Sequence, residues 1–248
     1  RRIDPVPARL APRARLDWLW REIERADPAR AALLTGRLLA EIPAGNAPAD
    51  RRIGLVELRR ALRRGSPSGK RAAAAVAAHQ LEPDLVRPLA EVSLAEEDPG
   101  VRRAAAAALL GIDEDRAVGA WARSLLRGGD RRQRARAAEN LGASGSPRAV
   151  DPLMLAVASA ARAPGRYVFF GRQVSLVTDL DVEVARAAAI ADPVVNVLTE
   201  GSVLEVRLVS TFTSRAAMRG LRRLTGADPG PGEADWLRWY EERRAGGD

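Results

Sequence analysis

Cysteine is absent from this 248-residue chain, and histidine and lysine each occur once, as His79 and Lys70. Without cysteine there is no disulfide, no thiolate metal site and no cysteine nucleophile. One histidine with no cysteine cannot assemble a histidine–cysteine zinc site or a histidine-centred triad; carboxylates alone could still hold a metal, but nothing in the sequence motivates that, and no catalytic, metal or cofactor residue is expected. Aromatic residues make up 4% of the chain, so the core must be built from Ala, Leu and Val, which suits closely packed short helices better than a large sandwich. No apolar run reaches the roughly 18 residues a membrane-spanning helix requires. The chain opens on Arg1 instead of Met. That reads as a trimmed or a processed chain, from which any export signal would already be gone, and it leaves localisation unreadable.

What is present is 46% apolar and 29% charged, ordinary for a folded chain and enough for one elongated domain or two compact ones. The net charge is +8, carried almost wholly by arginine. Arginine's planar fork suits phosphates and carboxylates. Its excess over lysine, however, runs evenly through the chain, as a coding preference on solvated helix faces would.

The strongest pattern is a period of 32 residues: 66–97, 98–129 and 130–160 align without a gap. Lys70, Arg102 and Arg134 fall in register, as do Ala74, Ala106 and Ala138, then Ala77, Leu109 and Leu141, then Leu89, Trp121 and Leu153. Asp98 and Asp130 are natural N-caps, because a carboxylate there accepts the free N–H groups of a first turn. An Ala-rich helix follows, expected to stop near Gly111 or Gly142. A second helix carries its stripe at Val118, Trp121, Leu125 and Leu126. Each hairpin needs its neighbours to bury that stripe.

The opening Asp–x–x–x–Arg (Asp98 to Arg102, Asp130 to Arg134) and the run RRAAAAALLG resemble HEAT-like repeats of the phycobilisome-lyase type. The match is good over 66–160 and weaker back through 10–25, 29–41 and 51–64; the first unit departs from it with Ser66 for Asp and His79 where the next has Gly111. The resemblance implies an α-solenoid that serves as an interaction scaffold. Residues 214–244 look like a closing repeat, with a first helix to Leu224, a stop at Gly226, and Trp236, Leu237 and Tyr240 on one face of the second.

Between these parts the composition turns β-branched. YVFFG (167–171), RQVSLVT (172–178), VVNVL (194–198) and SVLEVRLVS (202–210) read as strands of a small antiparallel sheet. Asp179, Asp181 and Glu183 would share one face of a strand. Alternatively Asp181 caps a helix beginning near Val182, the reading that the run ARAAAIA favours. Residues 166–210 hold four arginines against six carboxylates, leaving the rest of the chain more basic than the whole. Insertions into repeat arrays are often where binding sits.

The expected architecture is therefore mainly α: a solenoid of HEAT-like hairpins over 1–165, a β-containing insertion over 166–210 and a closing helical repeat over 211–248. The expected function is non-catalytic binding of another protein, with nucleic acid or another polyanion as the alternative. Candidate binding residues are Arg102, Arg134, Arg131 and Arg132 on the repeats and Asp179, Asp181 and Glu183 in the insertion. The aligned bases form either an outward row for a polyanion or an internal ladder to the cap carboxylates. GSPSGK (65–70) is a loose phosphate-loop look-alike better explained as a helix start, lacking the Ser or Thr after Lys. His79 is expected to be structural. Trp121 belongs to the core, and Trp18 and Trp20 cannot share one helix face.

Overall fold

A computed structural model describes residues 10–45, 52–127, 130–160 and 211–245. Among the described residues there are eleven α-helices and no strand. They are α1 (Pro12–Arg25), α2 (Pro28–Glu41), α3 (Leu55–Arg64), α4 (Pro67–His79), α5 (Val86–Ala95), α6 (Pro99–Ile112), α7 (Glu114–Arg127), α8 (Arg131–Ala143), α9 (Val150–Ala160), α10 (Thr211–Thr225) and α11 (Glu233–Ala245). The expected sheet lies outside the described residues.

The sequence period reappears in the helix starts. Helices α4, α6 and α8 begin directly after Ser66, Asp98 and Asp130, and each of these caps with its side chain. Ser66 Oγ accepts from Gly69 N at 3.1 Å, Asp98 Oδ1 from Val101 N at 2.7 Å and Asp130 Oδ1 from Arg132 N at 2.9 Å. Such a cap satisfies donors that the first helical turn otherwise leaves unpaired. Pro67 and Pro99 then stand at the first helical position, where the missing N–H is harmless. Short 3₁₀ turns at Pro83–Leu85 and Pro147–Ala149 lead into α5 and α9.

The helices stop within a residue of the expected glycines, at Ile112, Ala143 and Thr225, although the first two glycines are not themselves the residues that end them. Helix α6 continues through Gly111 to its C-cap at Asp113, whose Oδ1 already caps α7 by accepting from Arg116 N at 2.9 Å. Helix α8 continues through Gly142, and the left-handed residue of that turn is Gly145, at φ 72°. Gly226 does take a left-handed conformation, φ 70°, and its N–H donates to Arg222 O at 2.9 Å to end α10.

The chain divides into two compact units, Arg1–Trp121 and Ala122–Asp248. In the first, α4 packs on α1, α2 and α3, and α6 packs on both α4 and α5. Leu16, Leu19, Ile23, Leu34, Leu58, Leu62, Leu89 and Leu109 are at most 1% exposed there. Each such burial contributes on the order of 2 kcal/mol. Between them the alanines at 72–74 and 77 let helix backbones approach closely. Trp121 is fully buried, and its Nε1 donates to Ser93 Oγ at 3.0 Å, so a polar atom enters the core with its partner.

In the second unit α10 packs on α8 and α9, as α6 does on α4 and α5, and α11 packs on α9. The residues at 161–210 thus interrupt the chain between a helix pair and the next helix that covers it. The α8–α10 crossing is made by glycine on glycine. A Cβ at Gly142 would sit 2.8 Å from Gly220 O, and one at Gly220 would sit 2.8 Å from Ala138 O. Trp236 and Tyr240 of α11 are buried, with Tyr240 Oη donating to Asp151 Oδ1 of α9 at 2.5 Å.

Candidate functional site

The register of Lys70, Arg102 and Arg134 was the clearest chemical signal in the sequence, and the structure shows what holds its members. Lys70 Nζ, on α4, pairs with Glu96 Oε2 in the loop before α6. Both side chains are largely buried, at 17% and 20% exposure, and the ammonium holds the Glu96 carboxyl below its ordinary range. One residue on, Arg71 Nη1 lies 3.6 Å from Asp98 Oδ1. Arg102 Nη1 donates to the carbonyl oxygens of Glu96 and Glu97 at 2.9 and 2.7 Å, tying that loop back onto the start of its own helix. The cap carboxylate of Asp98 is therefore not the chief partner; the preceding loop is. Arg134, on α8, is half-buried, and its Nε is enclosed without a hydrogen-bond partner. Arg131 and Arg132 are exposed at the start of α8. Asp179, Asp181 and Glu183 lie outside the described residues.

The GSPSGK turn is filled from within. Glu24, on α1, reaches the N-terminus of α4, where its Oε2 accepts from Ser66 N at 3.1 Å and from Ser66 Oγ at 2.9 Å. A Cβ on Gly69 would run into that carboxylate. Helix N-termini attract anions, and here the anion is a side chain of the same unit. Glu24 supplies the negative charge that Asp98 and Asp130 supply locally in the other two repeats and that Ser66 lacks.

His79 is half-buried at the end of α4. Its Nε2 lies 2.8 Å from Ile42 O, and its own carbonyl accepts from Gly45 N at 2.9 Å, so it ties the segment after α2 to α4. Beside it, buried Gln80 receives Ile53 N at 3.1 Å and donates to Ile53 O and to Glu82, which pairs with Arg52. Both side chains act as clamps on loops. A shallow concavity lined by Pro12, Arg15, Leu16, Ala40 and Glu41 is bridged by its own ion pair, Arg15 Nη2 to Glu41 Oε1 at 2.5 Å.

Among the described residues no three His, Cys, Asp or Glu side chains converge as a metal site, and no helix is long and apolar enough to cross a membrane. Burial first, and then Asp151 accepting its hydrogen bond, push Tyr240 well above the ordinary phenol range. Its position against α9 makes it a packing anchor. Trp20 is buried and Trp18 half-buried, so the two divide between core and surface as their spacing requires.

Sequence reasoning missed two features. Glu24 gave no signal, because its partner is a backbone more than 40 residues away. Arg215, Arg219 and Arg223 on α10 did give one, a spacing of four residues, but it lay inside a segment read only as a closing repeat. Comparisons with protein-family models, with curated proteins and with solved structures find no match.

Proposed function

We propose that this chain is a non-catalytic scaffold, a solenoid of HEAT-like hairpins whose role is to bind another protein through its helical surface or through residues 166–210. The observation that carries this is the use made of the recurring charges: Lys70 and Arg102 are engaged in fastening successive helices. What recurs every 32 residues is then architecture, and not a row of reactive groups or phosphate ligands. The same observation weakens the polyanion alternative, which needs those bases facing outward. Resemblance to a repeat family supports a scaffold at the level of fold only, and function has to come from a site.

The test is capture from lysate with and without nuclease treatment, followed by reconstitution from purified components. A single protein that binds the purified chain stoichiometrically is the expected result. Retention of nucleic acid alone, abolished by nuclease, would transfer the function to the exposed arginines and end the scaffold reading.

A further inference from the structure

We infer that the outward face of α10 is a docking surface for an acidic helix of a partner protein, gripped by Arg215, Arg219 and Arg223. This deepens the scaffold reading and rests on it. From Thr213 to Leu221 the helix is buried at Thr213, Ser214, Ala216, Ala217, Met218, Gly220 and Leu221, and Arg222 is half-buried. The positions exposed between 213 and 223 are 215, 219 and 223, and all three are arginine. A helix enclosed on every other side thus presents one file of guanidinium groups to solvent.

The fourth arginine of the helix shows what internal use looks like. Arg222 Nε donates to Asp228 Oδ1 at 2.7 Å, its Nη2 donates to Gly230 O at 3.1 Å, and its guanidinium stands 6.0 Å from the centre of the Trp236 ring. Arg215, Arg219 and Arg223 have no ion pair with any described carboxylate, although like charges one turn apart repel each other. Among the described residues nothing offsets that repulsion, and the file becomes favourable when opposite charge is brought to it.

Geometry and number select the occupant. Four residues of α-helix rise about 6 Å, so the file spans about 12 Å in two steps. A partner helix with Glu or Asp at the same four-residue spacing has the same steps, and such rows interlock in the commonest class of helix crossing. Arginine's fork meets each carboxylate through two parallel hydrogen bonds. A nucleic-acid duplex fits less well: its binders commonly neutralise roughly 6–10 phosphates, and three contacts in single file fall short of that.

The probe is an alanine-based helical peptide with glutamates at four-residue spacing along one face. It is titrated into the isotope-labelled full chain and followed through the arginine Nε–Hε signals. A second peptide of equal composition carries its glutamates scattered around the helix. The expected result is that the signals of Arg215, Arg219 and Arg223 move together while those of Arg238 and Arg243 stay, with affinity falling between about 50 and 200 mM salt. Replacing all three arginines (R215Q, R219Q, R223Q) should weaken the probe about tenfold, the sum of three exposed pairs, and leave the circular dichroism unchanged. Should the triple variant lose structure, Arg219→Glu alone, at an exposed position, provides the same comparison. Equal binding by the scattered peptide, by the triple variant or by Arg219→Glu overturns the inference. So does a duplex oligonucleotide that displaces the probe from the same three signals. If a reconstituted partner still binds the triple variant as tightly as the intact chain, the ridge is refuted while the scaffold reading stands. If the probe binds as expected but no protein is ever captured, the scaffold reading is the one that fails.

Discussion

Replacing Gly142 by alanine adds one methyl group where α8 crosses α10, and two opposing effects decide the result. In the interior of an exposed helix, glycine to alanine gains roughly 0.5–1 kcal/mol, because alanine gives up less backbone freedom. At this crossing the new Cβ would meet Gly220 O at 2.8 Å, a backbone atom that cannot rotate away. The helices must separate, and overpacking of this kind costs about 1–3 kcal/mol. The second effect wins, and Gly142→Ala should destabilise by about 1–2 kcal/mol net. Gly220→Ala should behave alike, since its Cβ would lie 2.8 Å from Ala138 O and 3.2 Å from Leu153 Cδ2. Gly111 is the control: it too lies within a helix, yet a Cβ there has nothing within 4 Å, so Gly111→Ala should stabilise by roughly 0.5 kcal/mol. Urea unfolding followed by far-ultraviolet circular dichroism measures all three. The double variant Gly142→Ala, Gly220→Ala should cost less than the sum, because helices already parted by one methyl accept the second more easily. A Gly142→Ala chain as stable as the Gly111→Ala chain would refute the close crossing.

Three further outcomes are expected. Glu24→Ala removes the acceptor for Ser66 N and Oγ and should destabilise by about 1–2 kcal/mol, the range of a lost N-cap, with thermal melting as the readout. The Glu96 carboxyl titrates below its ordinary value of 4.5 in the folded chain, so the stability it lends is present above about pH 4.5 and lost as the pH falls through the folded value. Glu96→Gln should flatten that acid limb; an unchanged acid limb would show that Lys70 does not hold it. Tyr240 is shifted upward from 10.0, so its contribution is intact below about pH 10 and declines at more alkaline pH as the unfolded chain ionises first. Tyr240→Phe should lower neutral-pH stability by about 1 kcal/mol and remove that alkaline decline, read from melting temperature against pH.

The 32-residue period was legible because it is local chemistry repeated. A capping side chain at 66, 98 and 130, a run of alanines and a leucine stripe each bias their own few residues toward helix, whatever surrounds them. The buried state of Trp121 followed from its alignment with Leu89 and Leu153. The helix ends near Gly111 and Gly142 were legible to within a residue; that Gly142 also admits a neighbouring backbone was not, because the string RAAENLGASG does not reveal it. Only the arrival of α10 does, from beyond residue 210. The basic register was legible in part: an internal ladder was one of its two readings, but spacing showed only that Lys70 and Arg102 lie on equivalent turns and not the carbonyls and the carboxylate of 96–97 that receive them.

By itself the sequence determined that the described chain is helical, where its repeat helices begin, and which residues face inward, since caps, propensities and apolar stripes act within a turn or two of their position. The tertiary structure alone decided which charges are engaged and which remain. Glu24 meets Ser66, and Arg222 meets Asp228 under the Trp236 ring, while Arg215, Arg219 and Arg223 meet no described carboxylate. The reason is physical: a hydrogen bond or ion pair depends on separations of about 3 Å between atoms that the chain brings together only by folding.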